Sequence, residues 1–405
     1  MDEITLFLVL MVFSYLGNVL VVPGQSSTIT LPSGAQFIAL GFLFGPYALG
    51  VVSSDAARSF LPLASVATAW LALVFGVSYG FVGARRLSVR AYVVGFVIAL
   101  LSAAVIALLT YPAARFFLEL SERDALLVSL GIGLAGSETT RQSVRWALDR
   151  GAESGPLLQL MEELAGSDEL VPLVGLAGCF MLTPQSFDLN LPAHIHANSF
   201  LLTLFAGALL GLTSALLLAG LSAAQEAWIV ILGASLLGTG IASRLSLSPL
   251  TTLFVMGVCL SLASRHAPEL RPLLVRTAPG VLLPALLLAG ALLRVPTTSG
   301  ALTLVCIALL VRTLTRILLG HALARAVHVE RERRAPFGLA LCCTGSINML
   351  VGLSFALRVP GQVGELVLGA AAASALLGDL VGTLGLRQTF LPRTTSDIAQ
   401  PVAAS

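Results

Sequence analysis

Long apolar runs recur from Thr5 to Leu386, separated only by short polar breaks. Each run is close to the roughly 20 residues a helix needs to cross a bilayer's hydrocarbon core. No water is available there to satisfy a backbone N–H or C=O, so each run must close its own hydrogen bonds as a helix. The runs do not alternate in short segments, which argues against a transmembrane barrel. The chain is 57% hydrophobic and 11% charged, against about a quarter charged in soluble domains. It reads as an all-α polytopic membrane protein.

The runs divide into thirteen predicted spans. These are Thr5–Val22, Leu31–Val52, Leu61–Val82, Ala91–Tyr111, Asp124–Val144, Pro156–Thr183, Ser199–Leu221, Ala227–Ala242, Ser248–Ala263, Gly280–Val295, Gly300–Ala324, Ala335–Leu357 and Val363–Leu386. The first has no basic leader and reads as a retained helix, not a signal peptide. The residues after Leu391 read as a short disordered tail.

All 23 basic residues are arginine, and their placement orients the spans. One side receives Arg85, Arg86, Arg90, Arg141, Arg145, Arg150, Arg265, Arg271, Arg276, Arg325, Arg331, Arg333, Arg334, Arg387 and Arg393. The other receives Arg58, Arg115, Arg123, Arg244, Arg294 and Arg358. The positive-inside rule places the C-terminus in the cytoplasm and the N-terminus outside. The five cysteines lie in apolar runs and read as packing residues. His194 and His196 lack neighbouring ligands, so no metal site is expected there.

Six spans, one, and six again suggest two inverted six-helix repeats joined by a linker helix. The fifth and twelfth spans hold equivalent places, and both are interrupted by glycine and hydroxyls. The first interruption runs from Ala135 to Thr140 and the second from Cys343 to Asn348. The expectation is a pair of discontinuous helices that cross, where ion sites form in such repeats.

Asp168 is the most costly residue in this setting, because an ionised carboxylate in hydrocarbon requires a compensating cation, proton or basic partner. Glu163 lies five residues before it, too far around the helix to share one ion in an i, i+4 grip. Ser137 and Glu138 sit at the first interruption. Thr344, Ser346 and Asn348 sit at the second. Arg312 and Arg316 share one face of the eleventh span, where at most one could snorkel to the surface. Carboxylate and hydroxyl oxygens suit a hard cation, and an arginine can hold the carboxylate once the cation leaves. Two plainer readings stand beside this one. Ser167 could cap a shorter helix with Asp168 and Glu169 near the surface, and Glu138 could be a surface residue beside Arg141. Asp379 reads as a solvated charge near the end of the last span.

Six stretches, in order, resemble the monovalent cation/proton antiporter superfamily, the sodium/proton exchangers. They are FIALGFLFGPYALGVV (Phe37–Val52), LGIGLAGSETT (Leu130–Thr140), ELAGSD (Glu163–Asp168), LSLSPLTTLFVMGVCL (Leu245–Leu260), VRTLTRILLGHALA (Val311–Ala324) and TGSINMLVGL (Thr344–Leu353). The resemblance implies that Asp168 is the ion-binding aspartate, with Ser137, Glu138 and Thr139 on the broken helix. It also implies that Glu163 is the glutamate preceding the ion site and that Arg316 is the core basic residue. It implies a panel (residues 1–83 and 223–298), a moving core (84–184 and 299–390), a linker helix (185–222), a cytoplasmic tail (391–405) and a homodimer. Ser167 stands where the family has Asn or Asp, and Thr139 where it has Pro, so the first break is expected to be less sharp. The activity implied is exchange of Na⁺ or K⁺ for H⁺ at Asp168 in a bacterial inner membrane by alternating access; the lone titratable aspartate that Ser167 leaves suggests one proton per cation. No cofactor or enzymatic step is implied, and the partners are the cation, the proton and the lipid bilayer. In that cycle an empty, ionised Asp168 makes the return crossing costly. Two other readings stay open: a non-transporting scaffold or sensor, and a sodium-coupled organic anion carrier of related fold.

Overall fold

The computed structural model describes residues 3–20, 33–83, 89–152, 155–183, 198–220, 224–294 and 298–391. The expected tail, His194 and His196 lie outside them. The described residues form helices without strands. In chain order these are α1 (Glu3–Leu20), α2 (Ala35–Phe44), α3 (Ser54–Ser59), α4 (Leu61–Gly83), α5 (Val89–Leu118), α6 (Glu122–Ala135), α7 (Arg141–Leu148), α8 (Pro156–Ser167) and α9 (Leu170–Phe180). They continue as α10 (Ser199–Ala219), α11 (Ala224–Arg244), α12 (Pro249–Ala263), α13 (Ala267–Ala291), α14 (Ser299–Ala326), α15 (Arg331–Ala340), α16 (Ser346–Arg358) and α17 (Gln362–Phe390). Seven of them (α4, α5, α10, α11, α13, α14 and α17) are long and apolar enough to cross a membrane. Leucines such as Leu216, Leu310, Leu318 and Leu380 are exposed on them, as expected when the solvent is lipid.

Two boundaries differ most from the sequence reading. The second apolar run is helical only from Ala35 to Phe44. Pro46 disfavours helical backbone at the residue before it, and Gly45 is extended (φ −66°, ψ 170°). In the other direction, α13 begins at Ala267 and takes in Arg271 and Arg276 ahead of Gly280.

Packing is most extensive within two sets of helices. One holds α1, α2, α4 and α10–α13, and the other α5–α9 and α14–α17. Two crossings of the first set, α4 with α12 and α2 with α13, bring helices far apart in sequence together. Both are made by glycine. Gly76 lies against Gly257 and Gly41 against Gly290, with no room for a Cβ at any of the four. Small residues let backbones approach closely, which drives helix association where burial from water cannot.

Among the described residues, four polar contacts join the sets. Arg294 Nη1 pairs with Glu365 Oε1 at 2.9 Å. Arg358 Nη2 donates to the Ser246 carbonyl at 3.0 Å, and Thr251 Oγ1 to the Leu173 carbonyl at 2.7 Å. Asp379 accepts from Ser33 N at 3.2 Å and from Ser33 Oγ at 2.5 Å. Asp379 is therefore not a solvated end charge but fully buried. It closes the start of α2, where amides lack helical partners and a negative charge is favoured.

Candidate functional site: two helix breaks that meet

Helix α6 ends at Gly136, the Ser137 hydroxyl turns back to the Leu134 carbonyl at 2.8 Å, and helix resumes only at Arg141. Thr140 is extended and caps α7, its Oγ1 accepting from Gln142 N at 3.2 Å. The break is thus complete although Thr139 is not a proline. The second break runs from Leu341 to Gly345, slightly earlier than expected, so Ser346 and Asn348 lie in the first turn of α16. The breaks touch. A Cβ on Gly345 would lie 2.5 Å from Thr140 Oγ1 and 3.1 Å from Glu138 Oε1.

Broken helices expose amides at one end and carbonyls at the other, with partial positive and negative charge respectively. Four buried side chains answer these ends. At the second break, Glu138 Oε1 accepts from Gly345 N at 2.6 Å and Asn348 N at 3.0 Å, capping α16. Arg312 Nη2 donates to the Cys342 carbonyl at 3.1 Å, just beyond the end of α15. At the first break, Arg316 donates to the Ser137 carbonyl and, at 3.1 Å, to Thr139 Oγ1. Asp168 Oδ2 accepts from Thr139 N at 2.7 Å and lies 3.7 Å from Arg316 Nη1. A proline at 139 would have no N–H to give.

Asp168 sits at the junction of α8 and α9, and the sequence supplies the reason. Pro172 has no N–H to donate four residues back, and its ring crowds that carbonyl. The Asp168 carbonyl accepts instead from Val171 N at 3.3 Å, and the next bond, Leu173 N to the Glu169 carbonyl, is long at 3.4 Å. Asp168 is 2% exposed, so the surface-cap reading of Ser167 is excluded. Among the described residues, Asp168 Oδ1 has no hydrogen-bond partner.

The other expected residues fall at different distances from this centre. Glu138 is 1% exposed, so it is not a surface residue. Arg312 and Arg316 are both buried, and neither snorkels. Ser137 joins the centre through its carbonyl. Ser167 Oγ donates to its own helix, to the Leu164 carbonyl at 3.0 Å, and packs on Gly95 of α5. Glu163 is half-buried on α8 and forms no ion pair with either core arginine. Thr344 and Ser346 are buried at the second break, and Thr344 Oγ1 is without a partner. Asn348 donates Nδ2 to the Ala371 carbonyl at 2.8 Å. Sequence reasoning missed Glu169, 7% exposed and 3.5 Å from Arg141 Nη2. It also missed Pro172, the one local signal of the distortion at Asp168. Counting Glu169 and Arg141, the centre holds three carboxylates (Glu138, Asp168, Glu169) and three guanidiniums (Arg141, Arg312, Arg316).

A polytopic helical protein whose discontinuous helices meet around buried, balanced charges is built as a secondary transporter. The comparisons with known proteins agree. Residues 15–381 match the family described as sodium/hydrogen exchanger, transmembrane, and the chain belongs to that family. It is an integral membrane exchanger of cations and protons, not an enzyme. Two solved structures of the sodium proton antiporter MjNhaP1 from Methanocaldococcus jannaschii are similar in fold. The structure at pH 8 has 14% identity and a TM-score of 0.68, with 96% of this chain and 100% of that chain covered. An electron-microscopy map has 15% identity and a TM-score of 0.61, with 96% and 98% covered. The search of curated proteins gave no match.

Proposed function

We propose that the chain exchanges one Na⁺ or K⁺ for one H⁺ by alternating access, with Asp168 as the site both ions share. The observation that carries this reading is Asp168 Oδ1, a buried carboxylate oxygen without a partner at the meeting of the two breaks. A cation bound there replaces part of its water shell with oxygen ligands. A proton bound there removes the charge, so the two ions compete. Either monovalent ion gives the loaded centre the same net charge, so a one-for-one cycle moves none. Arg316 offsets the charge of an ionised Asp168, so an uncompensated net charge is not what opposes an empty return. The opposition comes from the unpartnered oxygen, since a buried polar atom left unpaired costs about 1–3 kcal/mol, and more when charged.

The set of α5–α9 and α14–α17 acts as the moving core against the set holding α1, α2, α4 and α11–α13, with α10 as the linker. The protein works as a homodimer in a bacterial inner membrane, N-terminus outside and C-terminus in the cytoplasm. Asp168→Asn is expected to abolish Na⁺-dependent proton movement in everted vesicles while the protein still folds. Normal exchange by a well-folded variant would refute the assignment.

A further inference from the structure

A cavity of about 10 Å³ lies between Gly136 of the first break and the first turn of α16, and Asp168 is not among its lining residues. Its walls are mostly apolar, with Ile106, Ala308 and Ala371 among them, but Arg312, Asn348 and Ser374 also line it. These three side chains are 2%, 0% and 4% exposed. Each keeps one polar atom with no hydrogen-bond partner among the described residues: Arg312 Nε, Asn348 Oδ1 and Ser374 Oγ. Three unpaired groups around one cavity are an arrangement native proteins avoid unless something joins them.

The donor and acceptor pattern identifies the ligand. Arg312 Nε–H can only donate. Asn348 presents Oδ1 as an acceptor, because its Nδ2 is committed to the Ala371 carbonyl at 2.8 Å. Ser374 can do either. A cation would meet the Arg312 guanidinium, and an anion would meet the Asn348 oxygen. A neutral molecule that both accepts and donates suits all three. The volume is at the lower bound of about 10–15 Å³ needed for one water, and the three partners match the usual two to four.

We propose that Arg312, Asn348 and Ser374 bind one structural water that ties α14, α16 and α17 together beside the breaks. The water accepts from Arg312 Nε and donates to Asn348 Oδ1 and to Ser374 Oγ. It holds the Arg312 guanidinium in the plane that serves the Cys342 carbonyl at 3.1 Å, so Asn348 and Ser374 are positioning residues for the second break. The proposal stands independently of the ion assignment at Asp168.

The test is a cryo-EM structure of the full chain in nanodiscs at a resolution that shows ordered water, together with Tm of two variants. Density within hydrogen-bond distance of all three atoms is expected. Ser374→Ala removes a partner of the water and should lower Tm by a few degrees, whereas Ser374→Thr keeps the hydroxyl and should stay near the parent. In a dry cavity the sign reverses. Removing an unsatisfied buried hydroxyl is then neutral or stabilising, and unchanged or raised Tm in Ser374→Ala, or a cavity without density, would overturn the proposal.

Discussion

The two broken helices have the same design and opposite finishes. At the second break both exposed ends are closed by side chains that reach across from other elements, Glu138 to the amides of α16 and Arg312 to the Cys342 carbonyl. At the first break Arg316 closes the carbonyl end, but the carboxylate facing the amide end is only half used: Asp168 Oδ2 is bonded and Oδ1 is not. A buried centre needs a frame that does not change and one oxygen that can. The second break supplies the frame and the first supplies the exchangeable atom.

The contrast can be broken most severely at the frame. Glu138→Ala strips two amides of their acceptor and leaves the nearby arginine charge less compensated, at a cost of about 3 kcal/mol. Tm in detergent should fall sharply, while the KM for Na⁺ of the surviving folded protein stays near the parent value. A large KM change at unchanged Tm would move Glu138 from the frame to the ion.

A smaller effect is expected at Thr139, which serves the first break with both its amide and its hydroxyl. Thr139→Pro deletes the 2.7 Å bond to Asp168. Hydrogen bonds to charged groups contribute about 1.5–3 kcal/mol, so exchange should slow roughly tenfold or more. Thr139→Ala keeps the amide and loses only the hydroxyl that accepts from Arg316 at 3.1 Å, so its loss should be clearly the smaller. Equal losses in both variants would show that the amide is not what matters. The smallest effect is expected at Arg294 and Glu365, which link the two helix sets while 40% and 35% exposed. Such pairs are worth about 1 kcal/mol at most, so either single charge reversal should alter the exchange rate by up to about fivefold. The double reversal should return it toward the parent, and failure to do so would remove the pair from the contact that opens and closes.

The sequence made the costs legible but not the partners. Apolar runs located the helical segments, and glycines with hydroxyls marked both breaks, because these are local statements about backbone and solvent. Asp168 was visible as an expense for the same reason. Glu138 was not visible as the cap of α16, since its partner Gly345 lies 207 residues away. Asp379 was misread as solvated because Ser33, its partner, is 346 residues away. Glu169 was passed over beside Asp168 because only the fold brings Arg141 to it. Pro172 was readable, and it indicates that the turn at Asp168 is written into the chain four residues downstream.

The central claim is that Asp168 exchanges its ions as the single exchangeable carboxylate, one proton per cation. The direct measurement is isotopic Na⁺ uptake into proteoliposomes under a fixed pH gradient, with the membrane potential clamped at zero or at about −100 mV, which is worth roughly 2.3 kcal/mol per charge moved. Equal rates at both potentials are the result expected. A several-fold acceleration by potential would mean that more than one proton moves per cation, and that a second carboxylate of the centre titrates with Asp168.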